Sequence, residues 1–203
     1  MTWIGLGLLS YAIGSLPTAF LFTRYILGRD IRQMGDFNSG AANVFRNVGT
    51  KAGVAVGSID IIKGGLVIVL AKVLVDDTGM DMMAGAAALA GHNFPVQLKF
   101  RGGRGAATAV GVLIASLPII GLPVGAICLA VLYFTHRAIL PLTIFLVAIP
   151  ALAYPVGYSV TLAVYAVAIP IAVCFSHFFT TRVLNPGAHK NTGDTGDSPL
   201  PQE

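Results

Sequence analysis

The sequence predicts an all-α, polytopic membrane protein with seven transmembrane helices, its N-terminus outside the cell and its C-terminus in the cytoplasm. Three observations carry that expectation. The 203 residues are 55% hydrophobic and only 11% charged, with a mean hydropathy of +0.78, where soluble domains carry about 25% charged residues. Residues 1–23, 106–135 and 138–181 contain no Asp, Glu, Lys or Arg. The basic residues gather between the apolar stretches. This composition excludes an ordinary soluble enzyme surface and a long disordered chain. The formal charge of +4 would raise nucleic acid as a partner of a soluble protein. Here it reads as a signal of membrane topology, with lipid rather than nucleic acid as the partner.

A helix needs roughly 20 apolar residues to cross the hydrocarbon core. The first span is expected over about Trp3–Thr23, with Trp3 and Tyr25 as interfacial anchors. No Lys or Arg precedes it, and it is too long for the apolar core of a secretory signal. Residues 24–51 are polar and basic. The second span covers about Ala52–Val75. An acidic turn follows at Asp76, Asp77, Gly79 and Asp81, and then a third span over about Met82–Leu98. The loop Lys99–Gly105 is short, basic and glycine-rich. Residues 106–135 would form roughly 45 Å of helix, too much for one upright crossing. Pro118, Gly121 and Pro123 divide them into two short helices with a turn near 117–121. His136 and Arg137 mark the next loop. Pro150, Pro155 and Gly157 divide 138–181 into two further spans. Residues 1–182 form one membrane domain, and 183–203 a polar, disordered cytoplasmic tail.

Seven spans place Arg24, Arg29, Arg32, Arg46, Lys51, Lys99, Arg101, Arg104, Arg137, Arg182 and Lys190 on one side, eleven of the thirteen basic residues. The opposite side holds only acidic Asp76, Asp77 and Asp81. The positive-inside rule makes the basic side cytoplasmic. Lys63 and Lys72 lie within the second span, and Lys72 is close enough to its end to snorkel. Cys128 and Cys174 sit in apolar runs without metal or CxxC spacing, so they read as small buried hydrophobes. Neither a metal nor a cofactor is expected.

Ionisable residues inside a membrane are functional candidates by default. Asp60 and Lys63 are three residues apart and share a helix face. They read either as a functional pair or as an ion pair holding helices together. In Arg101-Gly-Gly-Arg-Gly105, consecutive glycines let backbone N–H groups converge on an anion, and Arg101 and Arg104 add donors suited to phosphate. The loop leads into a helix N-terminus, which favours anions. A tight cytoplasmic turn carrying topology charges fits the same residues. His92, just before this loop, is a packing histidine or a catalytic one. The first loop, Gly35–Arg46, sets small residues among Asn38, Asn43 and Arg46. It reads as a donor-bearing segment folded back on the protein, or as a solvated connector.

At these residues the chain resembles the bacterial integral-membrane glycerol-3-phosphate acyltransferases of the PlsY type, as a divergent member. The resemblance runs through Tyr11–Thr18, Asp30–Arg32, the first loop, Asp60-Ile-Ile-Lys-Gly64 and Gly91–Gly111. It covers roughly the first half of the chain, with the remainder agreeing mainly in hydropathy. It implies transfer of a fatty acyl group from acyl-phosphate to the 1-hydroxyl of glycerol-3-phosphate, giving lysophosphatidic acid and phosphate, at a cytoplasmic site of the bacterial plasma membrane. It assigns acceptor binding to Lys99, Arg101, Gly102, Gly103, Arg104 and Gly105. First-loop roles fall to Asn38, Gly40, Asn43 and Arg46, beside Asp60, Lys63 and His92 as catalytic candidates. The chain departs from the family pattern at Asp36, where a serine is usual, at Ala42 in place of threonine, and in the absence of serine from residues 135–142. The family's C-terminal signature is reduced to His177 and Arg182. Those departures support a second reading, a divergent homologue that binds a phosphorylated or lipid ligand without this reaction or with another acceptor. A third, a small transporter, has only Asp60 and Lys63 behind it.

Overall fold

The computed structural model describes residues 3–135 and 139–180. These form nine α-helices and no β-strand. In chain order the helices are α1 (Trp3–Gly14), α2 (Thr18–Leu27), α3 (Ala41–Asn47), α4 (Thr50–Leu74), α5 (Thr78–Asn93), α6 (Ala106–Ser116), α7 (Pro118–Thr135), α8 (Ile139–Ala153) and α9 (Val160–Phe179). Four segments are long and apolar enough to cross a membrane: Trp3–Leu27, Thr50–Leu74, Pro118–Thr135 and Val160–Phe179. Helices α6 and α8 are shorter apolar helices. The expected tail at 183–203 and the loop at His136 and Arg137 lie outside the described residues.

Several boundaries differ from expectation. The first span is not one rod ending at Thr23. It breaks at residues 15–17 and resumes as α2, continuing through Arg24 to Leu27. Pro17 offers no N–H to a helical ladder and disfavours helical geometry in the residue before it. The third span, α5, does not run over Met82–Leu98. It starts at Thr78, because the Asp77 side chain accepts from the Met80 N–H at 2.8 Å and caps it, and it ends at Asn93. At 16 residues it is about 24 Å long, shorter than the hydrocarbon core. The expected break in 106–135 falls at Leu117, immediately before Pro118, while Pro123 sits inside α7. Lys72, part-exposed near the end of α4, also meets the protein there. Its Nζ donates to the carbonyl of Ala115 at 2.8 Å, satisfying an orphan acceptor at the end of α6.

The centre of the bundle is α4, which packs along α6, while α1 packs along α5. Both contacts depend on glycine. A methyl group at Gly111 would strike the backbone carbonyl of Ile61, and one at Gly64 would strike that of Thr108. Gly14 and Gly91 play the same part between α1 and α5, against Ala88 and Tyr11. Without a hydrophobic drive between helices in lipid, small residues that allow close backbone approach supply the packing. The main core joins Ile68, Leu113, Leu117, Phe145, Ile149 and Ile169. Outward faces carry exposed Leu8, Ile62, Val69, Ile127, Val164 and Phe175. Gly111→Val drives a branched side chain into the α4 backbone, an overpacking that costs about 1–3 kcal/mol. Thermal unfolding in detergent should show a lowered midpoint, and an unchanged midpoint would mean that α4 and α6 part freely.

Candidate active site at the convergence of two loops

The break in the first span creates one wall of the site. Leu16 stands outside the helical ladder, and its carbonyl accepts from Lys63 Nζ at 3.0 Å. Thr18, the first residue of α2, donates from its hydroxyl to Asp60 Oδ1 at 2.6 Å. Lys63 Nζ lies 2.8 Å from the same oxygen. Asp60 and Lys63, one turn apart on α4, are therefore paired and buried, at 1% and 4% side-chain exposure. His92 Nδ1 approaches Asp60 Oδ1 at 3.7 Å, too long for a hydrogen bond. Asp60 Oδ2 has no hydrogen-bond partner among the described residues.

The glycine-rich loop folds back onto the end of α5. Gly102 N–H donates to the Asn93 carbonyl and Gly103 N–H to the His92 carbonyl, each at 3.1 Å. These two N–H groups cap α5 and do not converge on an open concavity, as the sequence suggested. Glycine is required there for proximity: a Cβ at Gly102 would overlap the His92 carbonyl, and one at Gly103 would overlap His92 Nε2. The left-handed backbone is borne instead by Lys99 (φ 55), Phe100 (φ 61) and Gly105 (φ 81). Lys99 and Arg101 are exposed at the outer rim of the loop.

The first loop is held from within by Asn43. Its fully buried side-chain amide donates to the carbonyls of Ile31 (3.2 Å), Met34 (3.0 Å) and Asn38 (2.9 Å). Asn43 thus ties the loop together from within. Gly40 caps α3, and Asn38 is buried with its side-chain Oδ1 unpartnered. Asp30 caps the 3₁₀ turn Ile31–Gln33 and pairs with Arg32 at 2.7 Å. Arg32 also reaches the Leu98 carbonyl at 3.0 Å and lies over the Phe20 ring. Burial raises the Asp30 carboxyl, but the hydrogen bonds and charge of Arg32, with Arg24 adding to them, hold it below the ordinary carboxylate value. A depressed carboxyl stabilises the fold above its unfolded-state pKa, and that contribution is lost as pH falls through its folded value. Asp30→Asn should lower the unfolding midpoint at pH 7 and converge with the parent protein in acid. A gap that stays constant with pH would contradict this.

The two loops meet at Asp36. Its Oδ2 accepts from Arg46 Nη2 of the first loop at 3.0 Å and from Arg104 Nη1 of the glycine-rich loop at 3.1 Å. Beside this clasp, a small cleft with room for about one water molecule is lined by Ser15, Leu16, Pro17, Thr18, Ser39, His92, Pro95, Leu98, Gly102 and Gly103. On the other side of Leu16 an open apolar groove of about 500 Å³ runs between α1 and α4, lined by Ala12, Ile13, Leu16, Ile59, Ile62, Lys63 and Leu66. Folding thus gathers His92, Gly102 and Gly103 at the cleft, Asp60 and Lys63 behind it, and Arg46 and Arg104 next to it. Among the described residues no group of three His, Cys, Asp or Glu side chains could hold a metal ion. Thr18 and Ser39 lie within the stretches that carry the family resemblance, but nothing in the sequence singled them out. Thr18 and the Leu16 carbonyl reach the site because Pro17 interrupts a helix.

The profile of the family described as glycerol-3-phosphate acyltransferase matches residues 4–185. The chain belongs to the glycerol-3-phosphate acyltransferase family. Among its relatives, glycerol-3-phosphate acyltransferase 4 of Dehalococcoides mccartyi is 41% identical over 177 residues, 86% of this chain and 95% of that protein. Glycerol-3-phosphate acyltransferase 1 of the same organism is 44% identical, over 65% of this chain and 64% of that relative's length. The glycerol-3-phosphate acyltransferase of a Synechococcus strain is 33% identical over 94% of this chain and 95% of that protein. The crystal structure of PlsY, an integral membrane glycerol 3-phosphate acyltransferase, in its glycerol 3-phosphate form superposes with a TM-score of 0.74 at 27% identity, covering 92% of this chain and 93% of that one. The lysophosphatidic acid form superposes with a TM-score of 0.73. The fold is therefore that of an integral-membrane acyltransferase of this family.

Proposed function

We propose that the protein transfers a fatty acyl group from acyl-phosphate to the 1-hydroxyl of sn-glycerol-3-phosphate, releasing lysophosphatidic acid and phosphate. The observation that carries this reading is the meeting of two arginines from separate loops beside a small polar cleft that is itself next to an apolar groove. Both substrates bring phosphate, which fixed guanidinium donors suit. Arg46 and Arg104, with Lys99 and Arg101 at the rim, take the phosphate groups. The groove between α1 and α4 gives an acyl chain an apolar place beside the cleft.

The chemistry requires positioning more than a protein nucleophile. The acceptor hydroxyl oxygen bonds to the acyl carbon, the bond from that carbon to the phosphate oxygen breaks, and the electron pair leaves with phosphate. Holding the reactants together and neutralising phosphate charge supplies much of the rate. His92 takes the hydroxyl proton at Nε2, which faces Gly103 on the cleft side, while Asp60 lies toward its Nδ1. Asn38, Gly40 and Asn43 shape the first loop, and Lys63 holds Asp60 in place.

Counted as crossings, α1 with α2 and then α4 through α9 make seven. The first loop and the glycine-rich loop touch one another through Asp36 and Arg104 and through Arg32 and Leu98, so both lie at the same end of the bundle. Their basic residues put that end in the cytoplasm, with the N-terminus outside and the protein in the bacterial plasma membrane. Residues 1–182 form the single membrane domain.

The test is direct. Detergent-purified protein supplied with acyl-phosphate and glycerol-3-phosphate should release phosphate and form lysophosphatidic acid at equal rates. No product above background from folded protein would remove the reading. A second reading, a homologue that binds such ligands without this turnover, is favoured by one observation: Asp36 already occupies the two arginines.

A further inference from the structure

We propose that Asp36 is a built-in occupant of the phosphate position, a carboxylate that substrate phosphate must exchange for, so that this residue sets how tightly the site holds phosphate. The inference rests on reading Arg46 and Arg104 as phosphate ligands. Two guanidinium groups, one from each loop, converge on a single anionic oxygen at 3.0 and 3.1 Å. That arrangement is how a protein holds one oxygen of a phosphate, and here the chain supplies the oxygen itself.

Three features make the carboxylate an exchangeable tenant rather than a permanent tie. First, all of the pairing falls on Oδ2, while Oδ1 is buried and has no hydrogen-bond partner among the described residues. A buried acceptor left unsatisfied is unfavourable, so the bound arrangement is a compromise that a ligand with three oxygens improves on. Second, Asp36 stands between two residues in left-handed backbone, Gly35 at φ 56 and Phe37 at φ 58. For a bulky aromatic such as Phe37 that conformation is strained, so this arrangement of the segment carries a cost. Third, the clasp is reachable from solvent, with side-chain exposures of 49% for Arg46, 28% for Asp36 and 22% for Arg104. A phosphate dianion arriving from water competes for the same N–H groups with more charge and more acceptors.

The alternative is that Asp36 holds the two arginines in the right place and assists phosphate binding. The two roles give opposite signs. Full-length protein in detergent is titrated calorimetrically with inorganic phosphate, in the parent and in Asp36→Asn and Asp36→Ala, with a thermal melt confirming that each variant is folded. The expected result is a dissociation constant about tenfold lower in both variants. The gain should fall below twofold when the same substitutions are made in an Arg104→Ala background, because the carboxylate then has one guanidinium fewer to compete for. Unchanged or weaker phosphate binding in the folded Asp36 variants overturns the proposal. Phosphate binding is read without acyl donor, so a protein that forms no lysophosphatidic acid yet binds phosphate more tightly without Asp36 separates the failure of the enzyme reading from that of this one.

Discussion

Lys63→Met is expected to cost roughly 3–5 kcal/mol of stability, because it leaves the Asp60 carboxylate buried without its ammonium partner. The pair is almost entirely closed to solvent, and the His92 ring nearby stands too far away to replace the lost donor. Methionine matches the volume and straight-chain shape of lysine, so packing is largely preserved. The decisive comparison is the double variant Asp60→Asn/Lys63→Met, in which nothing charged is buried. It should regain most of the loss. It should not regain all of it, since the link from Lys63 to the Leu16 carbonyl is missing from both proteins. Unfolding midpoints of parent, single and double variants measure these differences. A double variant no more stable than the single one would mean that charge pairing is not what holds α4 to the broken first span. Activity of the double variant should stay low even where stability returns, because Asp60 would no longer face His92 as a carboxylate.

Arg104→Ala should raise the KM for glycerol-3-phosphate by roughly ten- to a hundredfold, the range expected when a hydrogen bond to a charged group worth about 1.5–3 kcal/mol is removed. The effect on KM is predicted to exceed that on kcat, because the guanidinium meets a phosphate whose charge is present before the reaction begins. Arg46→Ala should act in the same direction and less strongly, since its side chain is the more exposed of the two. Steady-state kinetics in both substrates checks this. An unchanged KM in Arg104→Ala would take the glycine-rich loop out of the acceptor site.

The family was legible from residues that lie together in sequence: the stretch Gly91–Gly111 and the paired Asp60 and Lys63. Helix punctuation was legible at the break before Pro118 but not at Pro17, and Pro123 and Pro150 lie inside helices. Helix ends set by a side-chain cap were less so. Asp77 reads as one acid in an acidic turn, and only its bond to the Met80 N–H makes it the start of α5. The purpose of Gly102 and Gly103 stayed open between two readings for a related reason. Sequence shows that glycine is present but not which neighbour has come too close for a side chain, and here the neighbour is His92. Lys72 was placed at a span end by position alone, and its acceptor belongs to a helix 43 residues away.

An all-helical membrane chain, the basic loops and the family follow from composition, charge and motifs that each lie within a single segment. Tertiary structure alone decided that Pro17 opens a carbonyl for Lys63, that Asn43 ties its loop from inside, and that Arg46 and Arg104 share one oxygen of Asp36. Each of these contacts joins parts of the chain whose separation in sequence says nothing about their separation in space. Whether a carboxylate beside two arginines repels phosphate or stands in for it depends on distances of about 3 Å that only the folding of the first loop and α3 against the glycine-rich loop establishes.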